Sequence, residues 1–448
     1  MMPAAWRGAE VAVVGLGRSG TAASAWLIRQ GAAVYASDAA TGRALEEAAE
    51  RLRSMGVSVE LGGHDLDRIR RAAAVVVSPG VPPDAPPVAA ARDASREIVA
   101  ELDLAVQALA GVRTIVVTGT NGKSTTTAMI GHVLSEAGVR AEVGGNIGRA
   151  LIGIADLEPP PDWVVIEASS FQLHDAPHLD PTIGVLTNLS PDHLNRYASV
   201  EDYYADKRKM LQHADDASIW VANGDDREVA RMMRGVPGRM VTWSLSREAA
   251  AWLDRDRGTL VLDGEDLMPR DDFPLLGDHN VENALAAALA TKAAGVSLTN
   301  IAGGLRTFRS LAHRLEPVRN LDGVSWINDS KATNVGSARA ALQAVTRPFV
   351  LIAGGRHKNE DFRALIPYLS GCRLIVAYGE AADKFAREVG SAMEVRTVGC
   401  LADAVREARR AALPGAAVLL SPACASFDQF TSYEERGNIF KELVRALT

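Results

Sequence analysis

The stretch Thr114-Ile115-Val116-Val117-Thr118-Gly119-Thr120-Asn121-Gly122-Lys123-Ser124-Thr125 decides how the rest of the chain is read. The β-branched run Thr114–Thr118 predicts a buried strand, the segment after Thr125 predicts a helix, and glycines fall only in the turn between them. In that setting the backbone amides of Gly119, Thr120, Asn121, Gly122, Lys123, Ser124 and Thr125 cradle nucleotide phosphates. Lys123 reaches the terminal ones, and the Ser124 or Thr125 hydroxyl faces a magnesium ion. The loop is shorter than G-x-x-x-x-G-K-[ST], because Val117 or Thr118 stands where that pattern needs its first glycine. A nucleoside triphosphate is the expected ligand.

A second glycine loop lies near the N-terminus. Val11-Ala12-Val13-Val14 runs into Gly15-Leu16-Gly17-Arg18-Ser19-Gly20 and then a helical stretch, which is G-x-G-x-x-G in its strand-to-helix setting. Its amides approach a diphosphate at a helix N-terminus, where the helix dipole favours negative charge. Asp38, closing the strand-like run VYASD, is placed to bond a ribose or a base. A nucleotide is expected here too, with its identity, NAD included, left open.

Further out, β-branched runs alternate with alanine-rich helical stretches, the pattern of parallel sheets covered by helices. Strands are expected at Val11–Val14, Val75–Val77, Thr114–Thr118, Val164–Ile166, Ile183–Thr187, Ile219–Val221, Phe349–Ile352, Leu374–Ala377 and Ala417–Leu420. At 448 residues the chain exceeds one growing core, and breaks near Asp84–Gly111 and Arg309–Pro317 divide it into 1–105, 106–312 and 313–448. A net charge of −7 argues against nucleic-acid and anionic-membrane binding, which need a basic field. Cys372, Cys400 and Cys424 make neither a disulfide framework nor a zinc spacing, which suits a reducing cytoplasm. No signal pattern precedes VAVVGLG and no apolar run approaches membrane-spanning length, so a soluble, unprocessed protein is expected.

Open parallel sheets present ligands at their strand ends. Glu167 in VVIEASSFQL and Asp192-His193 in VLTNLSPDHLNRY both follow such strands and are candidates for holding magnesium. Asn280 and Asn283, three residues apart in GDHNVENALAA, share one helix face and can address one ligand.

TGTNGKST resembles the phosphate loop of the Mur ligase family, and E-x-S-S-F-Q-L and D-H-x-x-R-Y are similar to strings of the same family. WINDSKATN, SPACASFDQF and YEERGNIF resemble its D-glutamate-adding member, and the likeness runs from the first glycine loop to Phe440. The resemblance implies an α/β protein of three domains: a Rossmann-like N-terminal UDP-binding domain, a central P-loop ATPase-like domain with a mostly parallel sheet, and a C-terminal Rossmann-like α/β domain. It implies ATP as substrate, Mg2+ as cofactor, UDP-N-acetylmuramoyl-L-alanine and D-glutamate as partners, and an acyl-phosphate intermediate. A monomer is expected.

By the same resemblance, Lys123, His193 and Lys207 are catalytic, and Ser124, Glu167, His193 and a carbamylated Lys207 hold the metal, with Lys209 as the alternative carbamylated lysine. Asn280, Asn283, Arg314 and Asp329 join Gly119–Thr125 on ATP. Ser78, Pro79, Gly80 and Asn146 join Gly15–Gly20 and Asp38 on the UDP-linked substrate. Lys331, Thr333, Lys358, Ser426 and Tyr433 are placed on D-glutamate. The chain departs from the family at Ala39-Ala40, where hydroxyl and arginine contacts to uracil are expected, and at Arg356, where aspartate is frequent. Another amino-acid ligase of the family, a nicotinamide-dependent oxidoreductase and a non-catalytic ATP switch are the rival readings.

Overall fold

A computed structural model describes residues 2–82, 84–192, 197–357 and 360–448. His193 and Lys358 lie outside the described residues. The chain packs as two compact units, Met1–Phe273 with Glu282–Arg306, and Pro274–Val281 with Thr307–Thr448.

The first unit contains two sheets. In the N-terminal one, β1 (Glu10–Val14), β2 (Ala33–Asp38), β3 (Ser58–Leu61), β4 (Ala74–Val77) and β5 (Glu97–Ala100) run parallel in the order β3-β2-β1-β4-β5. Val11 to Val14 are buried without alternation, as expected of a central strand covered on both faces. The order reverses about β1, which opens a crevice beyond its carboxyl end. There Gly15 adopts φ +88°, and a Cβ on Gly20 would sit 1.8 Å from the Gly15 carbonyl oxygen. The third loop glycine is therefore what lets the helix Arg18–Arg29 pack tightly on its strand.

The second sheet contains β6 (Arg113–Thr118), β7 (Ala141–Gly145), β8 (Trp163–Glu167), β9 (Ile183–Leu186), β10 (Ile219–Asn223), β11 (Arg239–Ser244), β12 (Ala251–Asp254), β13 (Thr259–Leu262) and β14 (Glu265–Pro269). Their order is β14-β13-β12-β11-β10-β9-β6-β8-β7, with only the β12–β13 and β13–β14 pairs antiparallel. β6 is flanked by β8 and β9, so the triphosphate loop emerges at a switch point with Glu167 on one side and Thr187-Asn188 on the other. One apolar core is continuous beneath both sheets, from Trp6 and Trp26 through Leu151 and Ile154 to Trp220.

The second unit holds β15 (Glu316–Leu321), β16 (Val324–Asn328), β17 (Phe349–Gly354), β18 (Cys372–Tyr378), β19 (Val395–Val398) and β20 (Ala417–Leu420). Their order is β15-β16-β20-β17-β18-β19, and every pair but β15–β16 is parallel. Asp329 and Ser421 follow the neighbouring strands β16 and β20 and so meet at one end of the sheet. Among the described residues no helix is long and apolar enough to cross a membrane.

Candidate active site

A cavity of about 740 Å³ opens beyond β1, walled by Gly15, Gly17, Arg18, Ser19 and Asp38, by Ser78–Gly80 and the prolines after them, and by Gly145, Asn146 and Gln172. Within it Asp38 fastens the glycine loop: Oδ2 accepts from the Leu16 amide at 2.7 Å and Oδ1 from the Ala40 amide at 2.9 Å. Ser78 Oγ donates to the Gly15 carbonyl at 2.8 Å. Arg18 reaches across to the middle sheet, donating to the carbonyls of Gly145 at 3.4 Å and Asn146 at 3.2 Å. The Asn146 side chain continues that line, its Nδ2 donating to Glu167 Oε1 at 2.9 Å. All the UDP-substrate candidates but Leu16 and Gly20 line this one cavity, although Asp38 and Arg18 spend polar atoms on holding its walls.

The triphosphate loop is shaped by residues that sequence reasoning passed over. Thr187 Oγ1 and Asn188 Nδ2 donate to the Asn121 carbonyl at 2.6 and 3.0 Å, and the Asn121 amide donates to Asn188 Oδ1 at 2.9 Å. Gly122 takes φ +83° at the start of the helix Lys123–Glu136, and a Cβ there would lie 2.4 Å from Asn283 Oδ1. Asn283 also accepts from Thr126 Oγ1 at 3.0 Å. Asn280 falls in the second unit, where its Nδ2 donates to the Leu276 carbonyl at 2.7 Å.

Two lysines converge on one carbonyl oxygen. Lys123 Nζ donates to Gly119 O at 3.0 Å and Thr120 O at 2.9 Å, and Lys207 Nζ donates to Gly119 O at 2.7 Å. Lys207 is 1% exposed, with Nζ 4.5 Å from the centre of the Tyr203 ring. Burial, and then the Lys123 ammonium, hold Lys207 well below the ordinary lysine range, while Asp192, Glu167 and Asp206 pull weakly the other way. Lys209 is a different case, since its Nζ is ion-paired with Asp206 at 3.1 Å and donates to the His174 carbonyl at 2.8 Å near the surface.

Glu167 Oε2 is buried and has no hydrogen-bond partner among the described residues. An orphaned carboxylate oxygen beside the phosphate loop, with the buried Ser124 at the start of the loop's helix, suits a hard cation that takes oxygen ligands. Among the described residues no three His, Cys, Asp or Glu side chains form a metal cluster.

In the second unit a fully buried arginine organises the D-glutamate candidates, and the sequence reading missed it. Arg436 donates through Nε to Ser330 Oγ at 2.9 Å, through Nη2 to Ser330 O at 2.7 Å, and through Nη1 to the carbonyls of Cys424 and Ala425 at 3.1 and 3.3 Å. Ser330 Oγ donates to the Tyr433 carbonyl at 2.8 Å, and Lys331 Nζ lies 3.7 Å from the centre of the Tyr433 ring. Residues 330–331, 424–426 and 433–436 are thereby held as one group, with Thr333 two residues beyond Lys331 and Ser426 buried next to Ala425. Asp329 Oδ2 accepts from Ser421 Oγ at 2.9 Å and Oδ1 from the Leu315 amide at 3.2 Å, and the adjacent Arg314 lowers its pKa only slightly against the effect of burial.

Comparison with known proteins agrees along the whole chain. The family model described as Mur ligase MurD-like, N-terminal domain, matches residues 9–100, the Mur ligase middle domain matches 117–291, and the Mur ligase glutamate ligase domain matches 313–424. The UDP-N-acetylmuramoylalanine–D-glutamate ligase of Acidobacterium capsulatum is 42% identical over 98% of this chain and 97% of its own length. The protein of the same name from Myxococcus xanthus is 40% identical over all of both chains. Among solved structures, UDP-N-acetylmuramate-alanine ligase MurC of Thermotoga maritima covers 98% of this chain and 99% of its own at 20% identity and TM-score 0.65. MurF ligase of the same organism, in complex with ADP, covers 93% and 96% at 13% identity and TM-score 0.64, a likeness of fold.

Burial pushes the Asp329 carboxyl up to about 7 from an ordinary 3.8. The folded state therefore keeps a proton that the unfolded chain releases, so the favourable contribution is complete below about pH 4 and lost as pH rises toward 7. At ~1.4 kcal/mol per pH unit, the loss is on the order of 4 kcal/mol. Asp329→Asn, which mimics the protonated carboxyl, is expected to gain stability relative to the unaltered chain between pH 4.5 and pH 8. Urea unfolding midpoints at the two pH values check this, and parallel pH profiles for the two chains would show that Asp329 does not titrate in that window.

Proposed function

The chain belongs to the Mur ligase family, and from that premise we propose that it joins D-glutamate to the alanyl carboxylate of UDP-N-acetylmuramoyl-L-alanine at the expense of ATP, in peptidoglycan precursor synthesis. The observation that carries this is full-length identity near 40% to relatives that all bear the D-glutamate ligase name, on a chain with two separate phosphate loops. We place the reaction in the cytoplasm, which suits free cysteines and a nucleotide-linked substrate.

A free carboxylate is a poor acylating agent because oxide is a poor leaving group. The alanyl carboxylate attacks the γ-phosphorus of ATP, the bond to ADP breaks, and an acyl phosphate forms. The D-glutamate amine then attacks its carbonyl carbon, loses a proton and expels phosphate. Positioning and charge neutralisation are what this sequence of steps requires of the protein, and no nucleophilic side chain is needed.

The backbone amides of Gly119–Thr125 cradle the triphosphate, and the Lys123 ammonium, which rests on two loop carbonyls, turns to the γ-phosphate. Asn280, Asn283, Arg314 and Asp329 serve ATP, and the cavity beyond β1 takes the UDP end of the acceptor. Ser124, Glu167, His193 and Lys207 would hold Mg2+, which would supply neutralisation of phosphate charge. Lys331, Thr333, Lys358, Ser426 and Tyr433 receive D-glutamate, whose two carboxylates suit charge-assisted contacts.

Lys207 enters this scheme as a carbamate. A cation repels an ammonium, and the buried, depressed amine has a lone pair to give. Its nitrogen bonds the carbon of CO2 and releases a proton, and the resulting anion offers the oxygens a hard cation prefers.

Phosphate release from ATP should require UDP-N-acetylmuramoyl-L-alanine and D-glutamate together, with little or none when L-amino acids replace D-glutamate. Equal release with L-alanine or a diamino acid would assign the chain to another ligase of the family, and release without an acceptor would point to a switch.

Lys207→Ala should be nearly inactive and should regain activity with acetate, not with chloride. Rescue by alkylamines instead, or full activity without rescue, would return Lys207 to the role of an ammonium ion.

A further inference from the structure

The cavity beyond β1 spends most of its polar side chains on itself. Both oxygens of Asp38 hold backbone amides, the Ser78 hydroxyl holds Gly15, and Arg18 lies on the carbonyls of Gly145 and Asn146. Asn146 Nδ2 is turned to Glu167, and Gln172 Oε1 accepts from the Ser169 amide and hydroxyl. Ala39, on the same wall, has no polar side-chain atom.

His64 adds a ring nitrogen to this wall. It lines the cavity from the loop between β3 and the helix Leu66–Arg71, and its Nδ1 lies 2.9 Å from Oγ of the fully buried Ser37. That bond fixes the ring and leaves Nε2 with no partner among the described residues. The loop is itself held against β2, since the amides of Gly62 and Gly63 donate to the Asp38 carbonyl at 2.9 and 3.2 Å.

Position in the sheet indicates which part of a nucleotide His64 meets. Phosphates belong at Gly15–Gly20, where the helix N-terminus offers amides, so the nucleoside extends over the ends of β2 and β3, which carry Asp38 and His64. Burial holds His64 below the ordinary histidine range, against the pull of Asp38 and Glu60, so the ring is neutral at neutral pH.

We infer that His64 reads the nucleobase of the UDP-linked substrate through Nε2, on the edge that carries N3 and O4. This rests on a uridine nucleotide occupying the cavity, as in the function proposed above. A neutral imidazole offers one donor and one acceptor. As an acceptor, Nε2 meets the N3–H of uracil and is repelled by the N3 lone pair of cytosine; as a donor, it meets O4 and is repelled by the cytosine amino group. In each of these two placements uracil is bonded and cytosine meets a like group. A site built to bond a polar edge rejects the base whose edge is reversed.

Calorimetric titration of the full chain with UDP and with CDP, without ATP, tests this. The unaltered chain should prefer UDP. His64→Ala should weaken UDP about tenfold, the worth of one buried hydrogen bond, leave CDP nearly unchanged and so lose the preference. ATP affinity should not move. His64→Gln, whose amide keeps a donor and an acceptor, should retain part of the preference, and it carries the test if the alanine variant does not fold. Unchanged UDP affinity in His64→Ala, or an equal loss for UDP and CDP, would overturn the inference by removing His64 from the base. Failure of the unaltered chain to bind UDP would instead remove the uridine-substrate reading, and this inference with it.

Discussion

Two amines, Lys123 and Lys207, share the Gly119 carbonyl, and the rest of the middle domain is arranged so that they can. Two ammonium ions this close repel, and one of them is out of contact with water. The buried one therefore loses its preference for charge. The two amines are thereby set apart, with the pKa of Lys207 lowered well below the ordinary lysine range. Thr187 and Asn188, just past β9, hold the same loop at its Asn121 carbonyl.

The same arrangement recurs three times. In each sheet candidate site residues follow the carboxyl ends of adjacent parallel strands, at β1 and β4, at β6, β8 and β9, and at β16 and β20. Burial on both faces makes those strands rigid, and their carboxyl ends are where loops can be shaped for a ligand. In the first unit the N-terminal cavity and the triphosphate loop are connected by a short line of bonds from Arg18 through Asn146 to Glu167.

Much of this was legible in the sequence. Both glycine loops announced themselves because a phosphate cradle needs small residues at fixed offsets between a strand and a helix, and Gly20 cannot be replaced without meeting the Gly15 carbonyl. All nine expected strands form, most of them longer by one to three residues and that at Ile183 shorter by one. The hairpin strands β12 to β14 were not foreseen, because their short runs are interrupted by charges and glycines. Arg436 belongs to the YEERGNIF string, which carries a resemblance only, and nothing in its spacing reveals that its guanidinium bonds Ser330 and the carbonyls of Cys424 and Ala425. Lys207 and Lys209 are equivalent in a string of cations, and only tertiary packing separates the buried one from the ion-paired one.

The central claim is that the protein supplies position and charge while ATP activates the carboxylate, and isotope transfer tests it most directly. UDP-N-acetylmuramoyl-L-alanine labelled with 18O in both alanyl carboxylate oxygens is turned over with ATP and D-glutamate, and the released phosphate is analysed by mass. An acyl phosphate requires one labelled oxygen to leave with the phosphate and one to remain in the new amide. Unlabelled phosphate would mean that the carboxylate is never phosphorylated, and would contradict the account.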